Sequence, residues 1–197
     1  MVRAARRLFH EQGYEATGIA TILREADANS GSLYHFFSSK EELLLAVLDH
    51  YLEQLKPEVL DPADGEAADP IEKIFALLGL YRKGLIITEC QLGCPIGNLA
   101  LEVSDGHAPA RAKIEANFQS WCAGVRRWLE AAAGRFPPGT DFQKLSQFIL
   151  TVMEGGVMQA RARKSLAPFD DCVSSLRHYL DMLQDQRSRE AIKGERT

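Results

Sequence analysis

The sequence lacks a long apolar run. A membrane-spanning helix needs about 18 or more consecutive apolar residues, and the longest candidate, residues 74–87, is interrupted by Tyr81, Arg82 and Lys83. The start of the chain also has no secretory signal. We therefore expect a cytoplasmic protein with no membrane partner.

Cysteine is scarce, with four among 197 residues. A chain of this length can bury a core without disulfides, and reduced thiols are typical of cytoplasmic proteins. Cys90 and Cys94 form a C-x3-C pair with His107 further along, but zinc sites usually have tighter pairs and four ligands. We predict no metal or other cofactor and interpret both cysteines as small buried hydrophobes. An oxidant-sensing thiol pair is the alternative.

Signatures of catalysis are also missing. The chain has no G-x-S-x-G elbow, no phosphate loop, no glycine-rich dinucleotide turn, and no paired histidines or carboxylates spaced as in metal hydrolases. These absences predict a protein that is not an enzyme. An all-helical small-molecule carrier is a further alternative.

A strong positive charge is missing as well, since the net charge is −4. The whole molecule is therefore not an electrostatic nucleic-acid binder. Residues 1–40 contain five lysines or arginines against four acids, which gives +1 and leaves −5 for the rest. This asymmetry is compatible with a DNA-reading head on an acidic body.

No segment has the alternating pattern of a strand, and apolar residues recur at helical spacing instead. We predict an all-α fold with about nine helices. They are expected near residues 3–12, 17–26, 29–37, 39–55, 69–87, 96–103, 107–133, 141–164 and 168–184. The acidic stretch 61–70, which contains two prolines, is the predicted linker.

Residues 17–40 predict a helix-turn-helix. Thr17 is a candidate cap for the first short helix, Asp27 and Ala28 form the turn, and Asn29 can cap the second helix. Gly31 has no side chain, so the backbone at the start of that helix can closely approach a phosphate or base edge. Its predicted anchors are Leu33, Phe36 and Phe37, and its predicted outer residues are Ser30, Ser32, Tyr34 and His35. Such a slim, hydroxyl-rich helix suits a DNA major groove.

Residues 4–48 carry three motifs in a characteristic order, LF..QGY..T, GSLYHFF and SKEEL. This segment resembles the TetR family of bacterial transcriptional repressors. The resemblance implies a homodimer whose last two long helices form a four-helix bundle with their copies. It also implies that two recognition helices enter successive major grooves of a near-palindromic operator in double-stranded DNA. A small molecule entering the body then releases the DNA.

The resemblance also implies roles for individual residues. The phosphate-contacting positions fall on Thr17, Tyr34 and Lys40. The base or groove contacts fall on Ser30, Gly31, Ser32 and His35, with Asn29 beside them. The family usually has glycine and valine where this chain has Asp27 and Ala28, and often a basic residue in place of Ser30. The head is therefore less basic than is typical of the family.

In the body, we predict an effector site of aromatic and polar residues between helices. Its candidates are Tyr81, Glu102, Phe118, Trp121, Met153, Met158 and Gln159. Glu102 is singled out because a carboxylate beside apolar material needs a partner, and a cationic or hydroxylated ligand can supply one. A surface-facing Glu102 is the alternative.

Dimerisation is assigned to the two C-terminal helices. The predicted contacts are Phe148, Val152, Gly155, Gly156, Leu176, Tyr179, Leu180 and Leu183. Two adjacent glycines inside a helix indicate the close approach of another backbone, which we assign to a second copy, with a bent helix as the alternative.

These predictions combine into three segments. Residues 1–48 form a DNA-binding domain, residues 49–187 a ligand-binding and dimerisation domain, and residues 188–197 a frayed tail. The predicted function is a ligand-responsive, homodimeric transcriptional repressor, with the thiol sensor and the carrier as alternatives.

Overall fold

The computed structural model describes residues 1–29, 31 and 35–194, and it describes side chains as far as residue 189. Within these residues the secondary structure is helical and no strand occurs, which confirms the predicted all-α class. The helices are α1 (Val2–Gln12), α2 (Ile19–Glu25), α3 (Lys40–Gln54), α4 (Asp61–Glu66), α5 (Pro70–Ile87), α6 (Pro95–Val103), α7 (Ala108–Ala131), α8 (Phe142–Arg163) and α9 (Ala167–Gly194).

The first compact unit consists of residues 1–57 and 92–120. Its core is formed by the apolar stripes of its helices, as their 3.6-residue spacing predicts. The buried residues include Ala5, Leu8, Phe9, Tyr14, Ile22, Leu43, Leu44, Val47, Leu48, Leu99, Val103 and Ile114. One polar side chain in this core, Asn117, donates to the main-chain oxygen of Leu48 at 3.1 Å. This bond connects α7 to α3.

The second compact unit consists of residues 58–91 and 121–197. Its largest buried side chains include Phe136, Phe169, Leu77, Leu78 and Leu129. Ion pairs on its surface also connect its helices. Arg177 of α9 donates to both oxygens of Glu72 on α5, at 2.6 and 2.9 Å. Arg82 of α5 makes the same two-bond contact with Asp170 of α9, at 2.7 and 2.9 Å.

Three helices begin with a side-chain cap. Ser39 precedes α3 and accepts from the amide of Glu42, while Glu42 accepts from the amide of Ser38. These two bonds resemble a capping box, except that Glu42 reaches the amide of the residue before the cap. Asp69 caps α5 and Asp141 caps α8 by the same kind of bond to free amides of the first turn.

The predicted linker is partly helical. Residues Leu55–Leu60 form a π-helical segment that includes Pro57, and α4 follows directly. Pro62 lies in the first turn of α4, where a missing amide hydrogen costs no intrahelical bond. Burial of Leu60 and Ala63 holds this segment against its own unit. Residues 61–66 of the predicted linker therefore form a short helix, and residues 67–69 connect it to α5.

The last helix also differs from its prediction, because α9 continues to Gly194 through residues for which a frayed tail was expected. The predicted functional boundary after residue 48 stays a prediction. The compact units divide the chain by packing, which places residues 92–120 with the N-terminal segment.

Candidate nucleic-acid interface

The turn of the helix-turn-helix follows α2. The Ala26 amide donates to the Ile22 oxygen at 2.9 Å, and the Ala28 amide donates to the Leu23 oxygen at 3.0 Å. Between them, Asp27 has a φ of 48°, in the left-handed region that glycine adopts most easily. The required backbone conformation explains why the family usually has glycine at this position.

The recognition segment, residues 29–37, follows this turn. Gly31, His35 and Phe36 are helical, and Asn29, Gly31 and His35 are exposed as predicted for groove contacts. Ser30, Ser32 and Tyr34 carry three more of the predicted DNA contacts, and they lie outside the described residues. Their expected roles stay predictions.

Phe36 is placed differently from its prediction as a core anchor. Its side chain is 70% exposed, and its ring meets the His35 ring edge-on with 4.8 Å between centroids. Two aromatic rings therefore lie side by side on the surface of the recognition segment. Helical spacing predicted aromatic anchors here, but it did not identify Phe36 as one of the outer residues.

Thr17 is fully buried, which contradicts its expected role as a side-chain phosphate contact. Its hydroxyl donates to the main-chain oxygen of Gly13 at 2.6 Å and lies 3.4 Å from that of Leu8. The cap position of α2 is occupied by Gly18 without a side-chain bond. Thr17 therefore attaches the loop before α2 to the end of α1.

Lys40 lies at the start of α3, as its predicted phosphate-contacting role requires. Its ammonium group is 4.2 Å from the centre of the Tyr14 ring and donates to the main-chain oxygen of Glu15 at 3.4 Å. The lysine therefore packs on the turn that follows α1. Burial and the carboxylates of Glu15 and Glu41 raise the pKa of Tyr14, so the ring under the ammonium group stays neutral at physiological pH.

Glu102, the predicted effector contact, has partners within its own unit. Its two carboxylate oxygens accept the main-chain amides of Tyr14 and Glu15, at 2.9 and 2.7 Å. The carboxylate thus has the partners that its sequence context required, and they are backbone groups of the head. The prediction that Glu102 needs an effector as its partner was therefore wrong.

Two family models match this chain. The family model "Bacterial regulatory proteins, tetR family" matches residues 1–47, and "Transcriptional regulator LmrA/YxaF-like, C-terminal domain" matches residues 70–175. The uncharacterized HTH-type transcriptional regulator Rv0196 of Mycobacterium tuberculosis is 31% identical over 200 residues, covering 96% of both chains. This chain belongs to the TetR family. The regulator YxaF of Bacillus subtilis is 32% identical over 170 residues, covering 85% of this chain and 86% of the relative.

Solved TetR-family structures agree with this assignment. A TetR regulator from Chloroflexus aurantiacus superposes with a TM-score of 0.78 at 28% identity, covering 91% of each chain. The cysteine mutant of CifR, solved with a 26 bp double-strand operator DNA, superposes with a TM-score of 0.75 at 27% identity, covering 89% of this chain and 93% of CifR. As a TetR-family member, the chain is a DNA-binding transcriptional regulator and not an enzyme. The carrier alternative is thereby set aside.

Three of the predicted effector residues of this TetR-family body come from the second unit's interior. Trp121 and Met153 are buried, and Tyr81 is half-buried. The Trp121 indole N–H donates to the Tyr81 hydroxyl at 2.9 Å. The other candidates are placed differently, since Met158 and Gln159 are exposed on α8 and Phe118 is half-buried in the first unit.

An open pocket of about 250 Å³ lies elsewhere in the second unit. Its lining includes Phe136, Pro137, Pro138, Phe142 and Arg187. None of the predicted effector residues lines this pocket.

The predicted dimerisation residues separate into two groups. Phe148 and Tyr179 are exposed, and Val152, Gly155 and Leu183 are partly exposed. Gly156, Leu176 and Leu180 are buried within the chain itself. An added Cβ at Gly156 would be 3.1 Å from a ring carbon of Phe169 in the same chain. The backbone that Gly156 accommodates therefore belongs to α9, which corrects the expectation that a second copy requires this glycine.

Cys90 and Cys94 are both buried, as expected for cysteines that act as small hydrophobes. Cys122 is also buried, and Cys172 is half-buried. Within the described ranges, no group of three or more histidine, cysteine or acidic side chains could hold a metal ion. No helix within the same ranges is long and apolar enough to span a bilayer. The oxidant-sensing hypothesis stays untested.

Proposed function

We propose that the protein is a homodimeric repressor that binds a near-palindromic operator and releases it when a small-molecule effector binds. The observation that carries this proposal is a helix-turn-helix head in a chain whose last helices expose aromatic residues. Repression, dimerisation and effector response are separate parts of the proposal. Each part has its own support and its own test.

The proposed dimer face lies on α8 and α9. Phe148 is 45% exposed and Tyr179 is 39% exposed, and their rings meet edge-on with 5.5 Å between centroids. Met182 is half exposed on the same helix as Tyr179. Large apolar side chains that share an exposed face are typical of interfaces. Two such helix pairs can bury these side chains in a four-helix bundle.

Sedimentation equilibrium tests the dimer. Tyr179→Glu places a charge on the proposed face, and we expect it to convert a dimer into a monomer because burying an unpaired charge is costly. Ile87→Glu is the matched control, since Ile87 is 81% exposed on α5 and its substitution should leave the dimer intact. A wild-type protein that is monomeric at micromolar concentration would refute this part.

The proposed DNA surface consists of Asn29, Gly31, His35 and Phe36, with Lys40 beside it. Asn29 and His35 offer hydrogen-bonding groups, and Gly31 allows close approach of the backbone. The exposed ring of Phe36 offers an apolar surface suited to a thymine methyl group. A lysine adds position and affinity through phosphate rather than base selection.

Selection of duplexes from a random pool identifies the operator directly, whichever genes the protein regulates. We expect the selected sites to be near-palindromes whose half-sites are centred about one helical turn apart. Affinity should fall steeply with salt as phosphate contacts release counterions. His35→Ala should weaken binding, whereas Lys144→Ala, on the exposed start of α8, should not. Failure to enrich any sequence would refute operator binding.

The proposed effector site is centred on the hydrogen-bonded pair of Trp121 and Tyr81, with Met153 in the same interior. Two aromatic rings and a thioether provide apolar contact, and the phenol and indole groups provide directional polar contact. This combination suits a small aromatic or hydroxylated molecule. The proposed response is that such a molecule lowers the affinity for operator DNA.

Intrinsic fluorescence can locate this site because the chain has two tryptophans. In a Trp128→Phe variant, Trp121 is the remaining indole. A library of small aromatic compounds is titrated against this variant, and those that change its emission are added to the operator complex. We expect compounds that change Trp121 emission to release the DNA, and Tyr81→Phe to weaken both effects. Release by compounds that leave Trp121 emission unchanged would place the effector elsewhere.

A further inference from the structure

The end of α1 is attached to α6 by one carboxylate. Glu102 lies near the end of α6 and accepts amide hydrogens from Tyr14 and Glu15, two adjacent residues of the turn after α1. A carboxylate can accept both hydrogens at once because each oxygen has free lone pairs. Bonds to an ionised acceptor are also stronger than neutral ones. This clamp therefore joins residues 87 and 88 positions apart.

The residue before the clamped amides is shaped to admit the carboxylate. Gly13 has a φ of 89°, in the region that favours glycine. An added Cβ at Gly13 would be 3.0 Å from one oxygen of Glu102. The backbone angle therefore favours glycine here, and a Cβ would require the Glu102 carboxylate to shift by a few tenths of an ångström. The sequence motif QGY thus has a structural meaning in this chain, because its glycine makes room for Glu102.

The clamped turn is in contact with the rest of the head. The Tyr14 ring packs edge-on against Phe9 at 5.2 Å, and Lys40 at the start of α3 lies over its face. The buried hydroxyl of Thr17, just before α2, donates to Gly13. The turn therefore contacts the elements on both sides of the recognition segment. A shift of the turn would be passed to α2 and to α3 together.

A second contact ties α1 to the segment before α6. The His10 ring nitrogen Nε2 is 2.7 Å from the main-chain oxygen of Gly93. Residues 93–102 are therefore attached at one end to α1, through Gly93, and at the other end to the turn after α1, through Glu102. Two attachment points fix an orientation, whereas one point would allow rotation. His107 adds an edge-on contact with Tyr14 at 5.7 Å.

We propose that Glu102 is a positioning residue: it holds the head in its DNA-binding orientation through the amides of Tyr14 and Glu15. Movement of α6 reaches the recognition segment through this clamp. The inference rests on the proposed operator binding and assigns to Glu102 a role without direct contact to DNA or effector.

Glu102→Gln is the sharpest variant, because its size is unchanged while one oxygen becomes an NH₂ group. That group cannot accept, so it would face an amide donor. We expect operator affinity to fall roughly fivefold to tenfold, which is about the effect of weakening one charge-assisted bond in contact with water. Amide hydrogen exchange at Tyr14 and Glu15 should accelerate in the same variant. Glu115→Gln, on the exposed face of α7, is the control and should change neither quantity.

Binding is measured on the duplex that the wild-type protein selects, with NMR exchange on the same samples and thermal unfolding as the check on folding. Faster exchange at both amides together with weaker binding supports the inference. Faster exchange with wild-type affinity would overturn it, as would weaker binding with unchanged exchange or no change in either. A wild-type protein that selects no duplex would refute the proposed function itself, and that result is obtained before any variant is made.

Discussion

The two compact units differ in the contacts that connect their distant segments, although each also contains the other kind: Lys113 pairs with Asp49 in the first unit, and Lys164 donates to the main-chain oxygen of Cys90 in the second. In the first unit, side chains that connect distant segments often end on the main chain. Glu102 meets two amides, Asn117 meets the oxygen of Leu48, and His10 meets the oxygen of Gly93. In the second unit, Arg82 pairs with Asp170, Arg177 with Glu72, and Lys73 with Asp64.

The difference predicts how each unit responds to change. A bond to the main chain depends on one side chain only, because every residue supplies the same amide and carbonyl groups. An ion pair depends on two side chains, on pH and on salt. Exposed pairs also contribute little individually. The first unit should therefore be sensitive to single substitutions, and the second to solution conditions.

The largest effect is expected from Thr17→Val in the first unit. Valine keeps the shape of the fully buried side chain but removes the hydroxyl that donates to Gly13. A partly buried acceptor left without its donor costs about 1–2 kcal/mol, measurable by urea unfolding. Thr17→Ser keeps the hydroxyl and should lose less. Equal stability of Thr17→Val and wild type would contradict the importance of this bond.

The second largest effect is expected from acid, which should lower the stability of the second unit. Bonds from Lys73 and Trp128 lower the pKa of Asp64, and bonds from Arg177 lower that of Glu72. A carboxylate with a lower pKa in the folded state adds stability above about pH 4, and that stability is lost as pH falls through the folded value. After solvent screening, we expect a total of about 1 kcal/mol.

Urea unfolding at pH 7 and at pH 3 measures this loss. Arg177→Gln removes the partner of Glu72 and should flatten the acid-dependent part of the stability curve. Arg163→Gln, at the exposed end of α8, is a control outside these contacts. An Arg177→Gln protein with the wild-type pH profile would contradict the assigned role of the pair.

A smaller effect on stability, with opposite signs at the two positions, is expected for alanine substitutions of the adjacent glycines of α8. Gly155→Ala meets no atom within 4 Å in the chain, so the better helix propensity of alanine should stabilise the protein by up to about 1 kcal/mol. Gly156→Ala meets the buried Phe169, and overpacking should outweigh that gain. Thermal unfolding of both variants checks the opposite signs. A destabilised Gly155→Ala with weakened self-association would show that the second copy approaches Gly155.

The smallest effect is expected from Asp27→Gly. Glycine adopts the positive φ of this turn more easily, although its greater freedom in the unfolded chain offsets part of the gain. We expect a net stabilisation of about 0.5 kcal/mol. Asp27→Ala is the comparison variant and should be less stable than wild type. Alanine has neither the freedom of glycine to adopt a positive φ nor the polar side chain of aspartate. The reverse order would contradict the importance of the turn conformation.

Local features of the fold were predictable from the sequence. The helical apolar spacing, the capping residues Ser39, Asp69 and Asp141, and the motifs of the head depend on neighbours within one helical turn. The segment before α5 was not predictable, because Pro57 and Pro62 suggested a break whereas burial of Leu60 and Ala63 supports helices. Tertiary packing outweighed the local signal there.

The site was less predictable because its contacts are distant in sequence. Nothing near Glu102 indicates that its partners are the main-chain amides of Tyr14 and Glu15. Thr17 could be assigned either to a helix cap or to a carbonyl of the preceding helix, and only the fold decides between them. Phe36 was assigned to the core because adjacent aromatic residues do not show which ring faces inward.

The unequal burial of the four thiols allows a fluorescent label to be attached at one of them. Cys90, Cys94 and Cys122 are shielded, and Cys172 on α9 is the partly accessible one. A maleimide dye added to the folded wild-type protein should therefore attach first at Cys172. Its emission would report on the surroundings of the last helix without any engineered cysteine.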